Sequence, residues 1–144
     1  GWQKPGMARD RAAAYPAARL TLDAIDAALH TAGDAPLSTL MFEGPAETLT
    51  LTHNAQPALL AHGAAAWAAI REAAAPHVVA AAGHSPGAFT AYHAAGALDA
   101  ASAAQLVRRR GTLMYETGVA RPGAMAALLG EPTRAVEEIC AEAT

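Results

Sequence analysis

The chain has 144 residues, 53% of them hydrophobic and 16% charged, which is enough for one packed domain, or part of a larger one, and too short for two ordinary domains. A formal net charge of −3 excludes the strongly basic surface that nucleic acid or an anionic membrane selects. A single cysteine, Cys140, excludes an intrachain disulfide and a cysteine-built zinc site; with no apolar run long enough to span a bilayer and no signal-peptide pattern, the expectation is a cytoplasmic protein.

Alanine dominates residues 8–30. Leu20, Ala24, Ala27 and Ala28 recur there at helical spacing around Ile25, and Pro16 divides two helical pieces. Residues 31–37 read as a loop, and residues 38–52 as one or two short helices broken at Gly44-Pro45. Residues 54–75 read as one long helix with Pro57 near its first turn, carrying Leu59, Leu60, Trp67 and Ile70, and Pro76 ends it. The stretch "HVVAAAG" that follows, residues 77–83, is short and apolar after His77, as a buried parallel strand is.

A helix is expected from near Pro86 to about Ala95. Another, capped by Asp99 or Ser102, carries Leu106, Val107, Leu113 and Met114 and closes at Gly118. Residues 123–130 resemble a strand and residues 132–143 a helix, together a βα unit. A parallel strand needs hydrogen-bonding neighbours on both edges, and only two strands stand among mostly helical segments. The expected fold class is therefore α/β, represented by a piece of a larger protein.

Residues 83–87 read Gly83-His84-Ser85-Pro86-Gly87, a serine between two glycines where a strand gives way to a helix. Such a turn exposes the hydroxyl from a strained backbone, beside a helix N-terminus that favours negative charge. Taken alone, the motif suggests a serine hydrolase whose nucleophile pairs with a later histidine, or simply a glycine turn. Arg108-Arg109-Arg110 reads as a solvated helix face and Gln56 as a polar residue at a helix start. His30, His53, His62, His77 and His93 read as surface or satisfied histidines, and no spacing proposes a metal site.

The flanks narrow this. "HNAQPALLAHGAAAW", "AAGHSPGAFTAYHAAGALDAASAAQLVRRRGTLM" and "GAMAALLG", in that order and spacing, resemble the malonyl-CoA:acyl carrier protein transacylases of fatty acid synthesis. The opening "GWQKPGM" resembles the end of that family's N-terminal glycine-glutamine motif, so the resemblance runs along essentially the whole chain. It implies an α/β-hydrolase-like acyltransferase core. Residues 1–120 would form part of the large subdomain with its nucleophile elbow, and residues 121–144 the start of a ferredoxin-like small subdomain, with the family continuing beyond Thr144.

By the same resemblance Ser85 attacks the malonyl thioester and forms a malonyl-serine ester, then passes the group to the phosphopantetheine thiol of acyl carrier protein. Arg110 holds the malonyl carboxylate, a task that suits a planar guanidinium fork, while Arg108 and Arg109 keep the solvated reading. Gln56 matches a glutamine near the active site. Gly83, His84, Pro86 and Gly87 make the elbow, with His84 confined to local packing and hydrogen bonding. The resemblance implies no cofactor: malonyl-CoA is substrate, and phosphopantetheine belongs to the partner, acyl carrier protein. The complete protein is expected to be monomeric.

Some positions depart from the family pattern. Pro86 follows the serine where the family uses a backbone N–H in its oxyanion hole, and Ala88 stands where the family has glutamate. The glutamine that supplies the second oxyanion donor would fall upstream of Gly1, Gln3 matching a later one, and nothing matches the C-terminal catalytic histidine. A noncatalytic acyl-CoA or carrier-protein binding remnant and a serine esterase are the alternative readings.

Overall fold

Helices account for all the regular elements in the computed structural model, which describes residues 3–123, 130 and 134–142. Helix α1 (Arg9–Ala14) meets α2 (Pro16–Leu29) at Tyr15, and Pro16 takes the first position of α2, where its missing N–H costs no helical bond. The buried stripe of α2 is Ala18, Leu22 and Ile25, while Leu20 stands exposed. This corrects the expected face through Leu20, Ala24, Ala27 and Ala28. Alanine fits a core or a surface, so the pair of larger residues three apart, Leu22 and Ile25, decides which side turns inward.

Helices α3 (Leu37–Glu43) and α4 (Ala46–Thr50) break at Gly44-Pro45 as expected, with Gly44 at φ 84°, a backbone that glycine adopts without steric cost. The Asp26 carboxylate of α2 accepts hydrogen bonds from the Ser38 N–H (2.9 Å) and hydroxyl (2.5 Å), which ties α2 to the start of α3.

The frame of the molecule is α5 (Thr52–Ala74) packed against α7 (Ala100–Ala120) and α2. Their shared core is small: Ala58, Ala61, Ala64 and Ala65 of α5 lie with Ala103, Ala104 and Val107 of α7 around Leu22, Ile25 and Leu60. Short side chains at a helix contact reduce the interaxial distance. Gly111 takes this furthest, because a Cβ there would sit 2.8 Å from both the Thr52 carbonyl oxygen and the His53 Cα. Backbone therefore lies on backbone where α7 crosses the first turn of α5.

Helix α6 (Gly87–Ala94) lies against the middle of α5, where a Cβ on Gly63 would come within 2.7 Å of the Thr90 methyl. The start of α7 is capped by Asp99, whose carboxylate accepts from the Ser102 N–H (2.7 Å) and hydroxyl (2.8 Å). These bonds, the one from the backbone foremost, lower the pKa of Asp99. The helix does not close at Gly118 but continues to Ala120, since one glycine weakens a helix without ending it.

The largest departure from expectation concerns residues 77–83. Ala75–His77 form a 3₁₀ turn, and residues 78–83 run without regular structure, Val79 fully exposed and Val78 half-exposed. There is no strand among the described residues, so nothing there can pair with this run, and a parallel strand is buried only by its neighbours. The strand expected over residues 123–130 falls mostly on residues 124–129, outside the described residues, as do residues 132, 133 and 143 of the helix expected over 132–143. Its described part is α8 (Val136–Glu142), with Arg134 bonded to Glu142 and paired with Glu138.

Candidate active site

Ser85 has φ 55°, one of two non-glycine residues with positive φ among those described. A side chain held there costs on the order of 1 kcal/mol and marks a backbone constrained by its surroundings. The constraint is a tight turn: the Gly87 N–H donates to the His84 carbonyl (3.0 Å), the Ala88 N–H to the Ser85 carbonyl (3.2 Å), and the Phe89 N–H to the Pro86 carbonyl (3.1 Å). Ser85 and His84 are exposed, and the serine sits directly before α6.

The two glycines of the motif are not equivalent. A Cβ on Gly83 would lie 2.1 Å from the carbonyl carbon and oxygen of Gly87 and 2.6 Å from the Ala88 nitrogen, whereas a Cβ on Gly87 would meet nothing within 4 Å. Gly83 is therefore the residue that lets the incoming chain pass over the start of the helix. Pro86, at φ −63° and ψ −21°, fits the turn without strain. It has no N–H to offer beside the serine, and the next amide, that of Gly87, is taken by His84.

The partner side of the site comes from the α5–α7 crossing. Arg110 of α7 donates from Nη2 to Ser85 Oγ at 3.2 Å and from Nη1 to the Gln56 side-chain oxygen. Gln56, buried in the first turns of α5, donates from Nε2 to Thr52 Oγ1 (2.9 Å) and to Met114 Sδ (3.3 Å). Three residues far apart in sequence, Gln56, Ser85 and Arg110, thus form one hydrogen-bonded line. Chemically it offers a hydroxyl on a strained turn beside a guanidinium whose other arm is anchored, a pairing suited to an acyl group that carries a carboxylate.

The family model described as "Acyl transferase domain" matches residues 1–142. The chain belongs to that family. Among solved structures this acyl transferase chain is similar to an acyl-carrier-protein S-malonyltransferase from Bartonella henselae, at 35% identity and a TM-score of 0.80, covering 99% of this chain and 45% of that one. The one from Burkholderia pseudomallei 1710b matches at 37% identity and a TM-score of 0.70, covering 79% of this chain and 36% of that one. A malonyl-transacylase in complex with its type II PKS acyl-carrier protein matches at 37% identity and a TM-score of 0.72, covering 81% of this chain and 36% of that one. No curated protein matches. The acyl transferase chain thus spans less than half the length of these solved chains. The likeness supports an α/β acyltransferase core, although the described residues contain only its helices.

One sequence reading is corrected outright. Arg108 does not lie on a solvated face: its Nη1 donates to the His53 carbonyl (2.8 Å) and to Asn54 Oδ1 (2.6 Å), and burial lowers its pKa, partly offset by Asp34. It follows Val107 directly and so borders the buried stripe of Ala104, Val107 and Gly111, a signal that the run of three arginines concealed. Arg108 also lines a cavity of about 640 Å³ with His30, Asp34 and His53. Two residues along a helix amount to roughly 200° of rotation, so this cavity and the Arg110 site lie on different sides of α7.

Thr52, Met114 and Gly111 are the site residues that sequence reasoning missed. The histidines with defined partners are engaged away from the serine. His62 accepts from Arg11 (3.0 Å) and has its pKa lowered by burial and by that arginine, His53 meets the Tyr115 ring edge-on, and His93 is bonded to the Leu98 carbonyl (3.0 Å). Among the described residues no group of three or more His, Cys, Asp or Glu could hold a metal ion, and no helix is long and apolar enough to cross a membrane.

Proposed function

We propose that this chain is the serine-bearing part of an acyltransferase that moves a malonyl group from coenzyme A to acyl carrier protein, in fatty acid or polyketide synthesis. The observation that carries the reading is the contact of Arg110 with Ser85 Oγ, backed by Gln56, in a chain of the acyl transferase family. In the first half-reaction Ser85 Oγ bonds to the thioester carbonyl carbon, the C–S bond breaks, and coenzyme A leaves as the thiol with the serine proton. In the second, the phosphopantetheine thiol attacks the ester, the C–O bond breaks, and Ser85 recovers a proton. Arg110 orients the free carboxylate throughout, and Gln56 holds Arg110.

In this reading residues 1–120 belong to a hydrolase-like large subdomain and residues 121–144 open a ferredoxin-like small one. The general base is a histidine from the C-terminal part that the family resemblance implies. The enzyme needs no cofactor of its own and works in the cytoplasm as a monomer. The neighbouring structure of a malonyl-transacylase bound to its acyl-carrier protein supports the partner.

The test is covalent loading. Incubated with labelled malonyl-CoA, the protein is expected to gain the mass of one malonyl group, and Ser85→Ala to gain none. Arg110→Ala is expected to lower malonyl loading by about a hundredfold and acetyl loading by much less, because only malonyl offers a carboxylate to a charged hydrogen bond. Equal losses for the two acyl groups would remove the carboxylate role. A second reading, a noncatalytic module that binds acyl-CoA or carrier protein, is favoured by the missing N–H at Pro86. It predicts malonyl-CoA binding with no adduct.

A further inference from the structure

Gln56 is 5% exposed, and its amide has two chemically different ends. With its oxygen on Arg110 and its nitrogen on Thr52 Oγ1 and Met114 Sδ, every contact joins a donor to an acceptor. The inverted amide would set N–H against N–H at Arg110. Arg110 only donates, so it decides which end of the amide faces it; thioether sulfur is a weak acceptor, so the Thr52 hydroxyl is the stronger hold on the opposite end. Thr52 is itself fixed: it is the first residue of α5, and its carbonyl oxygen lies where a Cβ at position 111 would come within 2.8 Å.

We propose that Thr52 is a positioning residue: its hydroxyl holds the Gln56 amide in place, and the amide in turn aims the Arg110 guanidinium at Ser85. The proposal rests on the acyl-transfer reading for its effect on substrate, though not for its effect on Arg110. Thr52→Val keeps the shape and removes the acceptor; Thr52→Ser keeps the acceptor.

Two measurements test it: Ser85 loading from malonyl-CoA and from acetyl-CoA by intact mass, and the rate of phenylglyoxal modification at Arg110 by peptide mass. Thr52→Val is expected to slow malonyl loading about tenfold, the scale of one buried hydrogen bond, while acetyl loading stays within about twofold. It is also expected to speed phenylglyoxal modification of Arg110 severalfold, as the guanidinium loses its anchor, and Thr52→Ser is expected to restore both. Equal slowing of both acyl groups, or an unchanged modification rate at Arg110, overturns the proposal. Should the wild-type protein load neither acyl group with its C-terminal part present, the acyl-transfer reading fails, and the modification rates alone decide Thr52. Circular dichroism checks the fold, and Thr52→Ala carries the same expectations if the valine variant unfolds.

Discussion

Replacing Pro86 with leucine is expected to speed the uptake of a malonyl group by Ser85 about a hundredfold or more, the scale of one oxyanion-hole donor. The reason is local. As the thioester carbonyl becomes tetrahedral its oxygen gains charge, and the nearest place for a fixed donor is the amide after the nucleophile. Proline has none, and the amide of Gly87 is spent on the His84 carbonyl. Leucine tolerates the φ and ψ of Pro86, so the turn is expected to persist. Stability is expected to fall by only about 0.5–1 kcal/mol, since leucine frees the unfolded chain that proline stiffens. Intact-mass time courses for the two proteins measure the first effect and thermal unfolding the second. Identical loading rates would show that the absent amide is not what limits the serine.

Gly83→Ala is expected to be the most damaging substitution in the elbow. Its methyl would sit 2.1 Å from the Gly87 carbonyl group, against backbone that cannot rotate away as a flexible side chain would. The turn must open or α6 must move off α5. A destabilisation of about 3 kcal/mol is the expected scale for such overpacking, together with loss of Ser85 loading. Gly87→Ala is the matched control: the same methyl enters open space at a helix start and is expected to leave both stability and loading nearly unchanged. Urea unfolding of the two variants decides the matter. Similar curves would mean that the turn relaxes around the methyl and that Gly83 is not its steric keystone.

Much of this molecule could be read in advance where punctuation was strong. Pro16, Gly44-Pro45 and Pro76 mark boundaries that the structure keeps, and of the two expected caps, Asp99 and Ser102, it is Asp99 that caps the helix. The faces of the helices were harder to read, because alanine carries little preference between core and surface; α2 turned on Leu22 and Ile25 instead of Leu20. Residues 78–83 look like a strand in composition, but strand pairing is a non-local property that no window of sequence contains. At the site, Gln56, Ser85 and Arg110 were expected through family likeness and meet in one hydrogen-bonded line. Thr52 and Gly111 escaped notice because their importance lies in the crossing of two helices. That crossing is a distance between backbones, and no motif spells it.

Gly111 also divides the site mechanically. Arg110 and Gln56 stand on two helices locked backbone to backbone, whereas Ser85 stands on a turn whose incoming arm, residues 78–83, is exposed throughout. In the function proposed above, recognition of a carboxylate and capture of an acyl group would therefore depend on separate pieces of the molecule. A lineage can lose one to mutation while selection keeps the other, and a proline beside the serine weighs on the second alone.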